Sequence, residues 1–285
     1  MDMKNYYKGS GYRKSPEDKR DYKIKKLVKS AVKLPETYLT PVPLEILDQG
    51  NTEMCVACAI AQGKHIIEYK QSDDKKMFSP AYIYSNRAEG DWDGEGMVPR
   101  EALKNLQKNG ICHYSEFPGY YTYPEGKEKY LEKKDKLNYL SYIYRISSYY
   151  RLSSIKDIKT AIYTIGFAMV AYDVYECLYN PDENGYIHYD AKNPGECYGG
   201  HQMLAVGWNE QGLIVCNSWG ESYGVGFSEN QTTGGLIIIP YDYMPTESWS
   251  CVDTIMEKEI KTTYSKNPVS MIKKGIKTLF EKVFM

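Results

Sequence analysis

Asp48-Gln49-Gly50-Asn51-Thr52-Glu53-Met54-Cys55-Val56-Ala57-Cys58-Ala59-Ile60-Ala61 reads as a polar turn running into an apolar helix. Asn51 and Thr52 are good N-cap residues, and the apolar run continues to Ile66-Ile67. A helix apolar around most of its circumference has to be buried at the centre of a domain. On this reading Cys55 falls in the first turn, where the helix dipole favours an anion. The thiolate is the nucleophilic form of cysteine, so Cys55 is the candidate nucleophile. Cys58 lies one turn deeper and reads as a core thiol.

A thiol nucleophile needs a base. His65 is ten residues further along the same helix, about 15 Å away and on another face. His113 and His188 sit in polar, turn-like surroundings. His201 follows Gly199-Gly200 and opens an apolar strand, so its ring can project from a strand end into a cleft. His201–Trp208, the turn Asn209-Glu210-Gln211-Gly212 and Leu213–Asn217 together read as a β-hairpin. His201 and Asn217 each lie eight residues from Asn209, so a hairpin centred there sets them opposite each other. The Asn217 amide can then orient the imidazole, as an acid does in a serine triad. A slip of one residue would turn either side chain to the wrong face.

The surrounding chain changes character in order. Residues 1–33 hold eleven Lys/Arg against four Asp/Glu and read as a basic extension outside the core. The stretch from Leu44 to Tyr150 is mainly helical, with a second helix from Pro99 to a stop at Gly110. From Arg151 to about residue 245, short β-rich runs bounded by glycine predict strands: Gly166–Tyr172, His201–Trp208, Leu213–Asn217 and Leu236–Ile239. Helices first and strands second imply an α+β fold of two lobes, with the site in the cleft between them. Residues 251–285 read as a tail whose segment Val269–Phe284 is a basic amphipathic helix. Docking on the body, on a partner or on a membrane surface all remain open for it.

Three segments carry a resemblance to the papain-like (cathepsin-type) cysteine peptidases. Gln49 through Ala57 resembles their nucleophile segment, Gly199-Gly200-His201-Gln202-Met203-Leu204-Ala205-Val206-Gly207-Trp208 their histidine segment, and Asn217-Ser218-Trp219-Gly220 with Tyr223-Gly224 their asparagine segment. Cys55 and His201 are 146 residues apart, within the spacing of about 130–150 of such enzymes. The similarity spans about residues 34–245. It implies a two-lobe fold in which a central helix carries the nucleophile beside a β-barrel-like lobe. It also implies Cys55, His201 and Asn217 as catalytic triad and Gln49 as oxyanion donor, with Trp219 shielding the Asn–His hydrogen bond. Gly94-Glu95-Gly96, Gly200 and Trp219 become candidate substrate-binding residues, and residues 1–33 a candidate short propeptide, so a zymogen. The implied activity is that of an endopeptidase with a polypeptide substrate and no cofactor or metal. Two rivals share the fold: a weak or inactive peptide-binding or structural protein, and a transpeptidase or amidase using the same acyl chemistry.

Departures from the family pattern are Thr52, where a disulfide cysteine is usual, Glu53-Met54 in place of a small Gly-Ser pair, and Val56 in place of an aromatic residue. Glu53 would raise the Cys55 pKa if the two faced each other, and is expected to point to solvent. A net charge of −1 and a pI near 6.5 argue against nucleic-acid binding by bulk electrostatics. No secretory signal or transmembrane run is legible, and seven cysteines without zinc spacing read as mostly buried free thiols, which predicts a cytoplasmic protein.

Overall fold

The computed structural model describes residues 11–73, 75–88 and 91–265. The helix expected over Val269–Phe284 lies outside the described residues.

α1 runs over Cys55–Ser72, and every residue from Cys55 to Ile67 is buried. It begins two residues later than the Asn51/Thr52 caps predict. Met54 takes the N-cap position and supplies no side-chain cap, so Cys55 is the first helical residue. The amides of the first turn have no intrahelical acceptor there. Around α1 stand α2 (Pro80–Ser85), α3 (Pro99–Asn109) and α4 (Tyr123–Ser141). α2 is capped by Ser79, whose hydroxyl accepts from Tyr82 N–H. α3 starts on Pro99 and stops at Gly110, which adopts φ +76°.

The second lobe is an antiparallel sheet of β2 (Ser148–Arg151), β7 (Glu247–Val252), β3 (Ala168–Asp173), β4 (Gly200–Trp208), β5 (Gly212–Cys216) and β6 (Leu236–Pro240), in that spatial order. β1 (Tyr38–Leu39) adds to the Gly207–Trp208 end of β4. The helix α5 (Ile155–Thr164) packs on β3 and β4, and α1 lies across β4. Gly63 lets the layers meet closely, since a Cβ there would come within 2.7 Å of the Phe167 ring. The sheet runs through Cys251 and Val252, and the helix Thr254–Thr263 follows, capped by Asp253.

The extension packs on the body. Tyr12, Ile24, Leu27 and Val28 are buried, and Asp21 forms a bidentate ion pair with Arg100 at 2.9 and 2.6 Å. Residues 11–33 are a strap tied to both lobes, with Arg151 Nη1 3.7 Å from Asp21 on the sheet side. Their basic composition concealed this, because the apolar residues are few and widely spaced.

Candidate active site

The β4–β5 ladder pairs Trp208 with Leu213 and Leu204 with Cys216, with a bulge at Val206. Asn217 therefore falls two residues away from the position opposite His201. A shift of two keeps both side chains on the same face. His201 Nε2 and Asn217 Oδ1 meet at 2.8 Å. The Ser218 backbone N–H also donates to that oxygen, at 2.7 Å, which fixes it as an acceptor. The imidazole thus carries its hydrogen on Nε2, and Nδ1 keeps a lone pair. Nδ1 has no hydrogen-bond partner among the described residues. Trp219 stacks on the imidazole with centroids 4.8 Å apart, and Tyr179 stacks on Trp219.

Ser218 connects this pair to Gln49. Its hydroxyl donates to Gln49 Oε1 at 2.6 Å, and its carbonyl accepts from Gln49 N–H at 2.9 Å. With Oε1 so held, the Gln49 Nε2 amide is aimed along the turn, where one hydrogen reaches the Thr52 carbonyl at 2.6 Å. The backbone amide of Gln202, the residue after His201, favours the charged form of the Cys55 sulfur. Cys55 thus heads α1, Gln49 lies in the turn before it, and His201 and Asn217 come from the hairpin whose first strand, β4, α1 crosses. Ser218 was not singled out from the sequence, although its place between Asn217 and Trp219 was the signal.

The strap threads this cleft. Met97 N–H donates to the Gly11 carbonyl at 2.7 Å, and Arg13 N–H donates to the Met97 carbonyl at 2.9 Å. On the other wall, Tyr12 N–H donates to the Gly200 carbonyl at 3.1 Å. The Gly11 backbone amide also favours the charged form of the Cys55 sulfur. A Cβ on Gly96, at φ +82°, would stand 2.7 Å from the Gly11 carbonyl, so this wall accepts a backbone only because position 96 is glycine. Gly96 and Gly200 thus touch the chain in the cleft. Glu95 turns its carboxylate inward to Tyr84 (2.6 Å) and the Tyr123 N–H (2.8 Å), and only its carbonyl meets the strap, at Arg13. Gly94 accepts from Arg87. Trp219 is buried against His201. Glu53 is half-buried near Arg13 and Glu95 and does not point to solvent as expected, because the strap lies over it.

Covered in this way, the dyad is neutral. Burial pushes the Cys55 thiol up to about 11, against the opposing backbone amides of Gln202, Gly11 and Val56. Burial also pulls His201 down to about 4, although its bond to Asn217 works the other way. A thiol and a neutral imidazole face a cleft from which water is excluded.

A papain-family cysteine protease model matches residues 41–233, a span that contains the whole constellation. The chain belongs to the papain family of cysteine proteases. It is accordingly a cysteine-type peptidase, a hydrolase acting on polypeptide. The papain-like α+β fold of two lobes is shared with solved structures. Xylellain, a cysteine protease from Xylella fastidiosa, is 23% identical, with 87% of this chain covering 97% of that one at a TM-score of 0.71. Digestive procathepsin L 3 of Tenebrio molitor larval midgut is 18% identical over 86% and 76% of the two chains, with a TM-score of 0.61. The bromelain protease from Ananas comosus, solved with the E64 inhibitor, is 15% identical over 77% and 100%, with a TM-score of 0.57. No curated protein sequence is a significant match. Among the described residues no helix is long and apolar enough to cross a membrane, and no His/Cys/Asp/Glu group could hold a metal ion.

Proposed function

We propose that this papain-family enzyme is an endopeptidase using Cys55, His201, Asn217 and Gln49, held latent by residues 11–33. The observation that carries the proposal is the hydrogen-bonded run Gln49–Ser218–Asn217–His201, on a strand crossed by the buried helix that Cys55 begins. His201 Nδ1 takes the thiol proton. The sulfur lone pair then bonds to the substrate carbonyl carbon, while the C=O π pair moves onto oxygen. Gln49 Nε2–H and the Cys55 N–H hold that oxyanion. Collapse breaks the C–N bond, and the His201 imidazolium protonates the leaving amine. Water, deprotonated by His201, hydrolyses the thioester and returns the thiol.

The strap explains why the resting dyad is neutral. With Gly11–Arg13 in place, the cleft presents an amide N–H to the sulfur where a substrate would present a carbonyl carbon, so the strap is not itself poised for attack. Its displacement readmits water and lets the pair ionise. The test is cleavage of denatured casein by the purified chain after strap displacement, compared with its Cys55→Ala variant. Loss of cleavage with the sulfur supports the assignment, and undiminished cleavage removes it.

A further inference from the structure

Beyond Asp21 the strap makes a 3₁₀ turn, Ile24–Lys26, and opens a groove against the body, apart from the cleft that Gly11–Arg13 occupy. Ile24 and Val28 form its floor, the exposed Ala31 and half-buried Val32 extend it, and Asp157 and Thr160 of α5 make the facing wall. Its volume is about 660 Å³. Pockets of roughly 300–1,000 Å³ take several apolar groups at once. The described chain ends on the rim of this groove. Ser30, one of its lining residues, donates its N–H to the Tyr264 carbonyl at 3.0 Å, just after the helix Thr254–Thr263. Residue 265 is the last described, and residues 266–285 follow it. In that stretch helical spacing of the sequence aligns Val269, Ile272, Ile276, Leu279, Phe280 and Val283 within one arc of about 100°, with Lys274, Lys277 and Lys282 outside it.

We propose that residues 269–284 of this chain dock in that groove, apolar face inward, and clip the strap to α5. Residues 265–268 are the only link between Tyr264 and Val269, and such a link reaches at most about 18 Å. The groove begins at Ser30, so that reach suffices. A tether this short also holds the segment at an effective concentration on the order of millimolar, an advantage that no second copy and no free partner has. Asp157 in the wall offers a carboxylate to a lysine at the border of the apolar stripe. An anionic bilayer would meet Lys25, Lys29 and Lys156 at the mouth. Being flat, it would not reach Ile24 and Val28, which are 2% and 7% exposed. One wall of the groove is strap and the other is body, so a seated segment has to leave before the strap can. That last consequence rests on the latency proposed above.

The test uses the full chain with Phe280 replaced by the photoreactive benzoylphenylalanine, irradiated alone and with phosphatidylserine vesicles, and its products sized and mapped by peptide mass spectrometry. The expected product is a cross-link within one chain, to a peptide holding Ile24–Val32 or Ser154–Thr160, formed with or without vesicles. A product of twice the chain mass, capture by lipid in place of the internal cross-link, a cross-link elsewhere on the body, or none at all overturns the proposal. The clip has its own readout, alkylation of Cys55 by iodoacetamide in the intact chain. One large apolar side chain withdrawn from a buried contact is worth about tenfold or more. Ile276→Asp/Leu279→Asp, which alters neither strap nor body, should therefore speed alkylation by at least that factor. An unchanged rate overturns the clip. Gly11→Ala separates this from the latency reading, since its added Cβ would stand 1.9 Å from the Glu53 carbonyl and unseats the strap directly. If Gly11→Ala also labels at the native rate, the latency reading falls, and the cross-link alone judges the docking.

Discussion

Gln49 shows how a single side chain is given a direction. Ser218 holds its Oε1, so the amide hydrogens can be presented only on the other side. Removing one preorganised oxyanion donor costs about 10²–10³ in kcat. Gln49→Ala, assayed once the strap is displaced, should show that loss with KM nearly unchanged. Ser218→Ala frees the amide to rotate and is expected to give a smaller loss in the same direction. The four proposed site residues could be nominated from the sequence because chemistry restricts which residue types can do the work and motif spacing restricts where they stand. Ser218 was not legible. Serine beside asparagine has no distinctive chemistry.

At the scale of elements, α1 was legible because an unbroken apolar run admits one placement, although its start was shifted by Met54 occupying the N-cap position. The hairpin was read two residues out of register at Asn217. Its function survived because the side-chain period is two. β7 was not among the expected strands, which stopped short of it at about residue 245; all six of its residues are buried, with Trp249 donating to Glu247 and Ser250 to the Phe167 carbonyl. α4 escaped for the opposite reason, having few buried positions among many charges. On the latency proposed above, the strap is the element that controls activity, and Asp21 is its anchor, with side chains of Asp21 and Arg100 each only 6% exposed. Breaking a buried pair by removing one partner costs about 3–5 kcal/mol. Asp21→Ala should therefore release the strap, seen as faster iodoacetamide labelling of Cys55 in the intact chain; labelling at the native rate would show that the anchor lies elsewhere.

For the whole molecule, latency is linked to pH through two groups shifted in opposite directions. His201 is pulled from 6.5 to about 4 in the closed state, so the open chain takes up a proton more readily. The stability this gives the closed form is present above about pH 6.5 and is lost as pH falls towards 4, a change of roughly 3 kcal/mol. Cys55 is raised from 9.0 to about 11, so its contribution is present below about pH 9 and is lost as pH rises towards 11. The strap should hold best between about pH 6.5 and 9. Hydrogen exchange at the Tyr12 and Arg13 amides, corrected for intrinsic rates, should pass through a minimum in that window and rise on both sides. A profile flat from pH 7 to pH 4 would mean that His201 does not sense the strap.

The most direct measurement is peptide release from denatured casein at neutral pH by three full-length chains: native, Gly11→Ala, and Gly11→Ala/Cys55→Ala. Little release is expected from the first, rapid release from the second, and at least a thousandfold less from the third. Equal release by the second and third chains, or none by the second with its strap displaced, would contradict a peptidase working through Cys55 beneath a removable strap.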